Sequence, residues 1–459
     1  LKRFAILCAL FAASCATPRV DTGTPSSPAT MWTPPAAAAA PARAAESSGP
    51  TLNGVTPGSN LSLAQVIDIA LSNNPQTRTT WLQARAAEAA LGSSESAYLP
   101  EIDVSATAGR ARTSAQPAAN LFEPSVALNY LLFDFGGREA QVAQARQTLI
   151  AADYLHNQAI QDVILRAEQT YYSYLDAKAL LAAQEATLNE RRTSLDAADS
   201  RHNAGVATIA DVLQARTASS QAELNRELIE GQLRTIEGQL ATVMGLPATT
   251  HFDFGELPLD VPAQRVTTQV EELITRAAVN RPDLMASRAT AERAHARIQE
   301  VRAQGLPSIS INSTAGRTFF TGGGNYTPYS AVVGVRFPLF TGFRNTFDIR
   351  QAQIEADLAT EDVRSLEQQI GLQVWTSYYA LQTSTRRLTT SRDLLNSAQQ
   401  SADVARDRYK SGVGSILDVL TAESALESAR AQEVQARADW FLAVAQLAHD
   451  TGTLSQESK

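Results

Sequence analysis

The chain has 459 residues, 44% of them apolar and 19% charged, with a formal net charge of −8. It is long enough for several globular domains and too apolar to be a disordered protein. The mild negative charge argues against a nucleic-acid partner, and no apolar run reaches the roughly 18 residues of a membrane-spanning helix.

The first residues, LKRFAILCALFAASCATPRV, read as a targeting segment. Lys2 and Arg3 form a basic start, Phe4 to Ala13 a short apolar core, and Ala12–Cys15 resembles a lipobox, with Ala12 where Leu is preferred. One reading makes residues 1–14 a signal peptide and Cys15 the lipid-bearing start, carrying acyl chains such as palmitate. The other is an ordinary secretory signal cut near Ala16. Cysteine use favours the lipid: removal of Cys8 with the signal leaves Cys15 without a disulfide partner. Residues 15–60 are rich in Pro, Ala, Ser and Thr and read as a flexible tether.

From there the chain says everything twice. Asn73–Pro75 matches Asn280–Pro282, Ala108–Arg110 matches Ala315–Arg317, Leu131–Phe133 matches Pro338–Phe340, Tyr171–Tyr172 matches Tyr378–Tyr379 and Gly245 matches Gly452, all 207 residues apart. Two copies of one unit, 61–257 and 266–454, are therefore expected. Each opens with helical segments, Pro75 and Pro282 standing at helix starts. Two strands follow. EIDVSATAGR alternates Ile102, Val104 and Ala106 with polar residues; after a polar loop, SVALNYLLF alternates again; SISINSTAG and YSAVVGVRF repeat the pattern in the second copy.

Very long helices come next. Ile349, Ala352, Ala356, Ala359, Val363, Leu366, Ile370, Val374, Tyr378 and Leu381 step by threes and fours, predicting a helix from Arg344 to about Arg408, on the order of 100 Å long. Such a length suits a rod, a coiled coil or a tube. At its far end stands GVGSILDVLTA, and GVATIADVLQA stands at the same place in the first copy. Gly205 and Gly412 suit helix C-caps, and Thr208 with Asp211, and Ser415 with Asp418, have capping-box spacing. That turn chemistry does not explain the apolar Val206 and Val413, which suggest a contact surface.

Two strands per copy are too few to close a membrane barrel, which needs about eight. If they enter a membrane, several chains must pool them; otherwise they are hairpins of a soluble helical protein. The export signal favours the outer membrane.

The paired helix starts, Tyr98–Pro100 before the first strand, Tyr130–Arg138 and the two tip phrases together resemble the outer-membrane efflux proteins, the TolC-like family, from about Leu61 onward in both copies. The lipobox is similar to that of the lipidated branch. The resemblance implies a mainly α fold with a small membrane β-barrel contribution, four strands per chain, and a homotrimer with a 12-stranded barrel above an α-helical periplasmic tunnel. It also implies a passive channel of a tripartite efflux or secretion system. Its partners would be a periplasmic adaptor, an inner-membrane transporter and outer-membrane lipid, with no cofactor. The family gate joins an Asp after the first tip to a Tyr before the second and to an Arg. Asp211 and Tyr409 match; Gly414 stands in the Arg slot. Asp418 matches one pore-ring Asp, and Thr421 replaces another. Capping alone is the other reading of Asp211 and Asp418. Gly205, Val206, Gly412 and Val413 would dock the adaptor.

No catalytic motif is expected. The five histidines have no partner at ligand spacing, and Gly322–Gly324 lies in a hairpin loop rather than a strand-to-helix phosphate loop. A periplasmic coiled-coil adaptor or a scaffold lipoprotein is the alternative. The adaptor would carry one hairpin rather than a duplicated unit, and the scaffold would lack paired strands.

Overall fold

The computed structural model describes residues 27–32, 60–113, 116–261, 269–321 and 324–454. The expected signal peptide and Cys15 lie outside these residues, as does most of the tether.

Each copy begins with a bent helix pair. β1 (Asn60–Leu61) leads into α1 (Leu63–Asn73), which Ser62 and Gln65 start with a capping box. Asn74 then caps α2 (Pro75–Glu95), with Pro75 in its first turn, where a missing N–H costs nothing. β2 (Glu101–Thr113) and β3 (Gln116–Phe133) form an antiparallel hairpin. α3 (Gly137–Asn203) descends for 67 residues and α4 (Ile209–Val243) returns for 35. After β4 (Asp253–Phe254), paired parallel with β1, the sequence of elements repeats: α5 (Val270–Asn280), α6 (Pro282–Ala303), β5 (Ser308–Gly316), the two-residue β6 (Phe319–Phe320) and β7 (Tyr329–Arg336). α7 (Arg344–Lys410) is again 67 residues and α8 (Ile416–Asp450) again 35. At about 1.5 Å per residue, α3 and α7 are each on the order of 100 Å long.

The apolar stripe expected on α7 is its inner face: Ala352, Ala356, Ile370, Val374, Tyr378 and Leu381 are buried. Midway along the helices lies the main core, in which Val66, Leu71, Ile160, Ile164, Leu175, Leu240, Met244 and Phe254 gather where α4 ends. The matched glycines belong here. Gly245 and Gly452 have φ of +73° and +70°. A Cβ on Gly245 would lie 2.5 Å from the Asn73 carbonyl oxygen, and one on Gly452 would lie 2.8 Å from the Asn280 carbonyl carbon. The repeated Asn-x-Pro corner and the repeated glycine are therefore one packing contact made twice.

The sheet runs β2-β3-β5-β7, with β6 beside β3. It corrects one expectation. Residues 116–124, read as a polar loop, are strand, and β3 begins at Gln116 rather than Ser125. Pro124 leaves its mark on the other side: β5 pairs with β3 only to Ser125, and pairing resumes with β6 at Phe122. Proline has no N–H to offer a neighbour, and it sits in that gap.

Candidate functional site

The two hairpin tips are built alike. α3 ends in a Schellman turn in which Gly205, at φ +76°, donates its N–H to the His202 carbonyl at 2.8 Å, and Val206 donates to the Arg201 carbonyl at 2.9 Å. The second tip repeats it: Gly412, at φ +78°, donates to Tyr409 and Val413 to Arg408, both at 3.0 Å. The returning helices start with capping boxes. The Thr208 N–H donates to Asp211 Oδ2 at 2.9 Å, and the Ser415 N–H to Asp418 Oδ2 at 3.1 Å. Val206 and Val413 are 64% and 68% exposed. Ile209, Leu213 and Leu417, which the sequence did not single out, are exposed close by.

Between the tips, Ala198, Val212, Ala215, Tyr409, Ile416 and Val419 form a small core. The Tyr409 ring is buried in it, and its hydroxyl has no hydrogen-bond partner among the described residues. Arg201 covers the ring, its guanidinium carbon 4.8 Å from the centroid, and Nη1 donates to the Tyr409 carbonyl at 2.6 Å. Burial pushes the Tyr409 phenol above its ordinary pKa; Arg201 pulls it back and Asp211 pushes it further up. Asp211 is thus near Tyr409 but bonded to its own helix start. Asp418 lies on the second tip, exposed, its carboxyl held below the usual range by hydrogen bonds from Ser415. The tight turn leaves little room at 414, where a Cβ would meet Arg408 Cβ at 3.1 Å and Tyr409 N at 3.2 Å.

The opposite end of the chain is a wall with two chemistries. Residues paired across neighbouring strands share a face. Ile102 pairs with Leu128 and Val104 with Val126; Tyr130 pairs with Ile311, which pairs with Val333; Ile309 pairs with Val335. That face is mainly apolar across all four strands, with Ser313 between Leu128 and Ala331 the polar exception among these positions. The other carries Asp103, Ser105, Ser125, Asn129, Asn312, Thr314 and Ser330, with Ser105 and Ser125 hydroxyls 2.9 Å apart. No described helix is long and apolar enough to cross a membrane. Where the wall meets the helices, Phe135 and Phe343 hold φ of +52° and +65°, the only non-glycine positive values among the described residues. Their rings are exposed, and each packs edge-on against another phenylalanine, Phe133 and Phe340 respectively.

Known proteins share this architecture. The chain is 28% identical to Protein CyaE of Bordetella pertussis over 385 residues, covering 82% of this chain and 80% of that one. It is 25% identical to Outer membrane protein TolC of Vibrio cholerae over 410 residues, covering 86% and 91%. A membrane protein from Pseudomonas aeruginosa shares the fold, with a TM-score of 0.78 at 24% identity over 89% of this chain and 99% of that one. The family model described as outer membrane efflux protein matches residues 66–246 and again 273–453, two segments offset by 207 residues at both ends. With its duplicated helical shaft and two-faced sheet, the chain belongs to the outer membrane efflux protein family.

Proposed function

We propose that three copies of this chain form one outer-membrane channel that extends into the periplasm. It passively conducts substrate delivered by an inner-membrane transporter through a periplasmic adaptor. The sheet carries this reading. Its edge strands β2 and β7 have no partner on their outer sides among the described residues, and lipid cannot satisfy an open edge. One apolar and one polar face fit a wall between lipid and water. Three copies of the four long strands make a twelve-stranded barrel. A scaffold or adaptor has no use for such a wall. The exposed phenylalanines at the strand–helix turns suit the membrane interface, where aromatic rings collect.

The tips are the periplasmic end. Asp211, Tyr409 and Asp418 are the gate, and Gly205, Val206, Gly412 and Val413 present the adaptor contact. Cys15 is the lipid attachment. Trp32 supports the anchor: it packs edge-on against Tyr154 at 5.0 Å, and its backbone exchanges two hydrogen bonds with the Asn157 side chain. Tyr154 lies about 25 Å down α3 from the sheet. The twelve peptide steps from Cys15 to Ser27 can span up to about 40 Å, enough to return to the membrane.

The test combines mass photometry of detergent-solubilised protein with planar-bilayer conductance. A trimer that conducts is expected. A monomer with native helix content, or a trimer that never conducts, overturns the proposal.

A further inference from the structure

The 207-residue repeat relates Arg201 to Arg408 and His202 to Tyr409. Arg201 leaves the last turn of α3 and crosses to the other tip, where Nη1 donates to the Tyr409 carbonyl at 2.6 Å. The same carbonyl accepts the Gly412 N–H at 3.0 Å. One oxygen therefore closes the second tip and receives the first. A cation at the last carbonyls of a helix is favoured by the helix dipole, and the tyrosine face adds a cation–π contact. Neither contact uses the Tyr409 hydroxyl or Asp211. Gly412 lies beside the arginine, where a Cβ would sit in ordinary contact with Nη2 at 3.7 Å.

Arg408 holds the equivalent place on the second tip. It is exposed, and among the described residues its guanidinium makes no hydrogen bond; its charge helps to hold the Asp418 carboxyl down. The carbonyl equivalent to that of Tyr409 is the one on His202, which accepts the Gly205 N–H at 2.8 Å and has a second lone pair to offer. Within one chain Arg408 has no third tip to reach. In a closed ring of three chains, the next tip is a first tip again.

We infer that the tips are held together by a ring of arginine clasps: Arg201 on the Tyr409 carbonyl within each chain, and Arg408 on the carbonyl of His202 of the partner subunit between chains. This rests on the trimeric-channel reading and deepens it. The cation that the family pattern places at residue 414 stands instead in the last turn of each long helix. The clasp between chains lacks a tyrosine face, so it is the weaker of the two and yields first.

Full-length trimer in planar bilayers without adaptor tests this, read as open fraction, with heat-stability of the trimer on denaturing gels as the control for assembly. Arg201→Ala should raise the open fraction roughly tenfold or more, the weight of a hydrogen bond from a charged donor. Arg408→Ala should raise it less. Arg201→Lys should recover part of the closed state, because an ammonium can reach the carbonyl but cannot stack as a guanidinium does. Tyr409→Phe keeps both ring and carbonyl and removes only the gate's hydroxyl, so it should raise the open fraction far less than Arg201→Ala. An Arg201→Ala trimer with wild-type open fraction overturns the clasp. So does a Tyr409→Phe trimer that opens while Arg201→Ala stays closed, since the lock would then be the hydroxyl. Failure of Arg201→Ala to assemble, beside a normally closed Lys variant, makes the residue structural and also overturns it. A silent Arg408→Ala removes the contact between chains. Wild-type trimer that never conducts fails the channel reading instead.

Discussion

Arg191 of α3 and Glu423 of α8 meet at 3.1 Å inside the helical shaft, their side chains 4% and 1% exposed. They join the first repeat to the second. Glu423 also accepts from the Ser194 hydroxyl at 2.9 Å, and Arg191 donates to the Leu420 carbonyl at 3.1 Å and the Ser424 hydroxyl at 2.9 Å. Burial pushes the Glu423 carboxyl up, while Ser194, Arg191 and Arg406 pull it back. Removing Arg191 leaves the buried Glu423 with the Ser194 hydroxyl and a longer, 3.6 Å contact to Arg406 in place of its main counter-ion. Arg191→Met alone should therefore cost about 3–5 kcal/mol, and Arg191→Met with Glu423→Leu should recover most of it. Thermal unfolding of the two variants checks this; a double variant as weak as the single would show that packing, rather than stranded charge, sets the cost.

On the sheet, Ile102 and Val333 lie on the apolar face, and Ser105 lies on the polar one. Ile102→Arg and Val333→Arg should each destabilise the assembled barrel by about 2–4 kcal/mol near mid-bilayer. Ser105→Arg should leave stability unchanged and alter the ion selectivity of the conducting trimer. Equal losses for the two faces would remove the lipid–lumen assignment.

His449 ties α8 to α3, with Nε2 2.9 Å from Asp162 and Nδ1 3.2 Å from its neighbour Asp450. Burial alone would lower its pKa, but hydrogen bonds and charge from the two carboxylates outweigh it and carry the imidazole up to about 9. The folded value stands above the unfolded one, so the stabilisation is complete below about pH 6.5. It fades as pH rises toward 9. His449→Gln should thus lower the melting temperature more at pH 6 than at pH 9.5. A pH-independent difference would mean that the ring only fills space.

The sequence carried the shaft because a long helix must show its apolar stripe, and from Ala352 to Leu381 the α7 stripe is continuous. It carried the tips because a Schellman glycine and a capping box are local chemistry. It did not carry the upper half of β3. Gln116, Asn120 and Glu123 give no apolar alternation, and the pairing of this stretch with β2 rests on backbone bonds that any side chain allows. Nor could it reveal Arg201. A cation in the last turn of a helix is ordinary, and Tyr409 is brought beside it only when the two repeats fold together. The repeat itself was the available signal, since it places an arginine at both helix ends.

Val206 and Val413 define the last prediction. Each stands on a glycine turn closed by backbone hydrogen bonds, so neither valine side chain is needed to form the tip. Both are well over half exposed, beside Ile209, Leu213 and Leu417. On the proposed reading, these exposed apolar groups, present at both copies of the tip, are where the adaptor lands. Val206→Ser with Val413→Ser should leave trimer assembly and bilayer conductance as they are, because neither the arginine contact nor the capping boxes are touched. The same pair should sharply reduce recovery of the periplasmic adaptor after crosslinking in cells, and Val206→Asp with Val413→Asp should abolish it. Normal adaptor recovery from both pairs would leave the valines as turn residues only. Altered conductance would place them in the gate rather than on the docking surface.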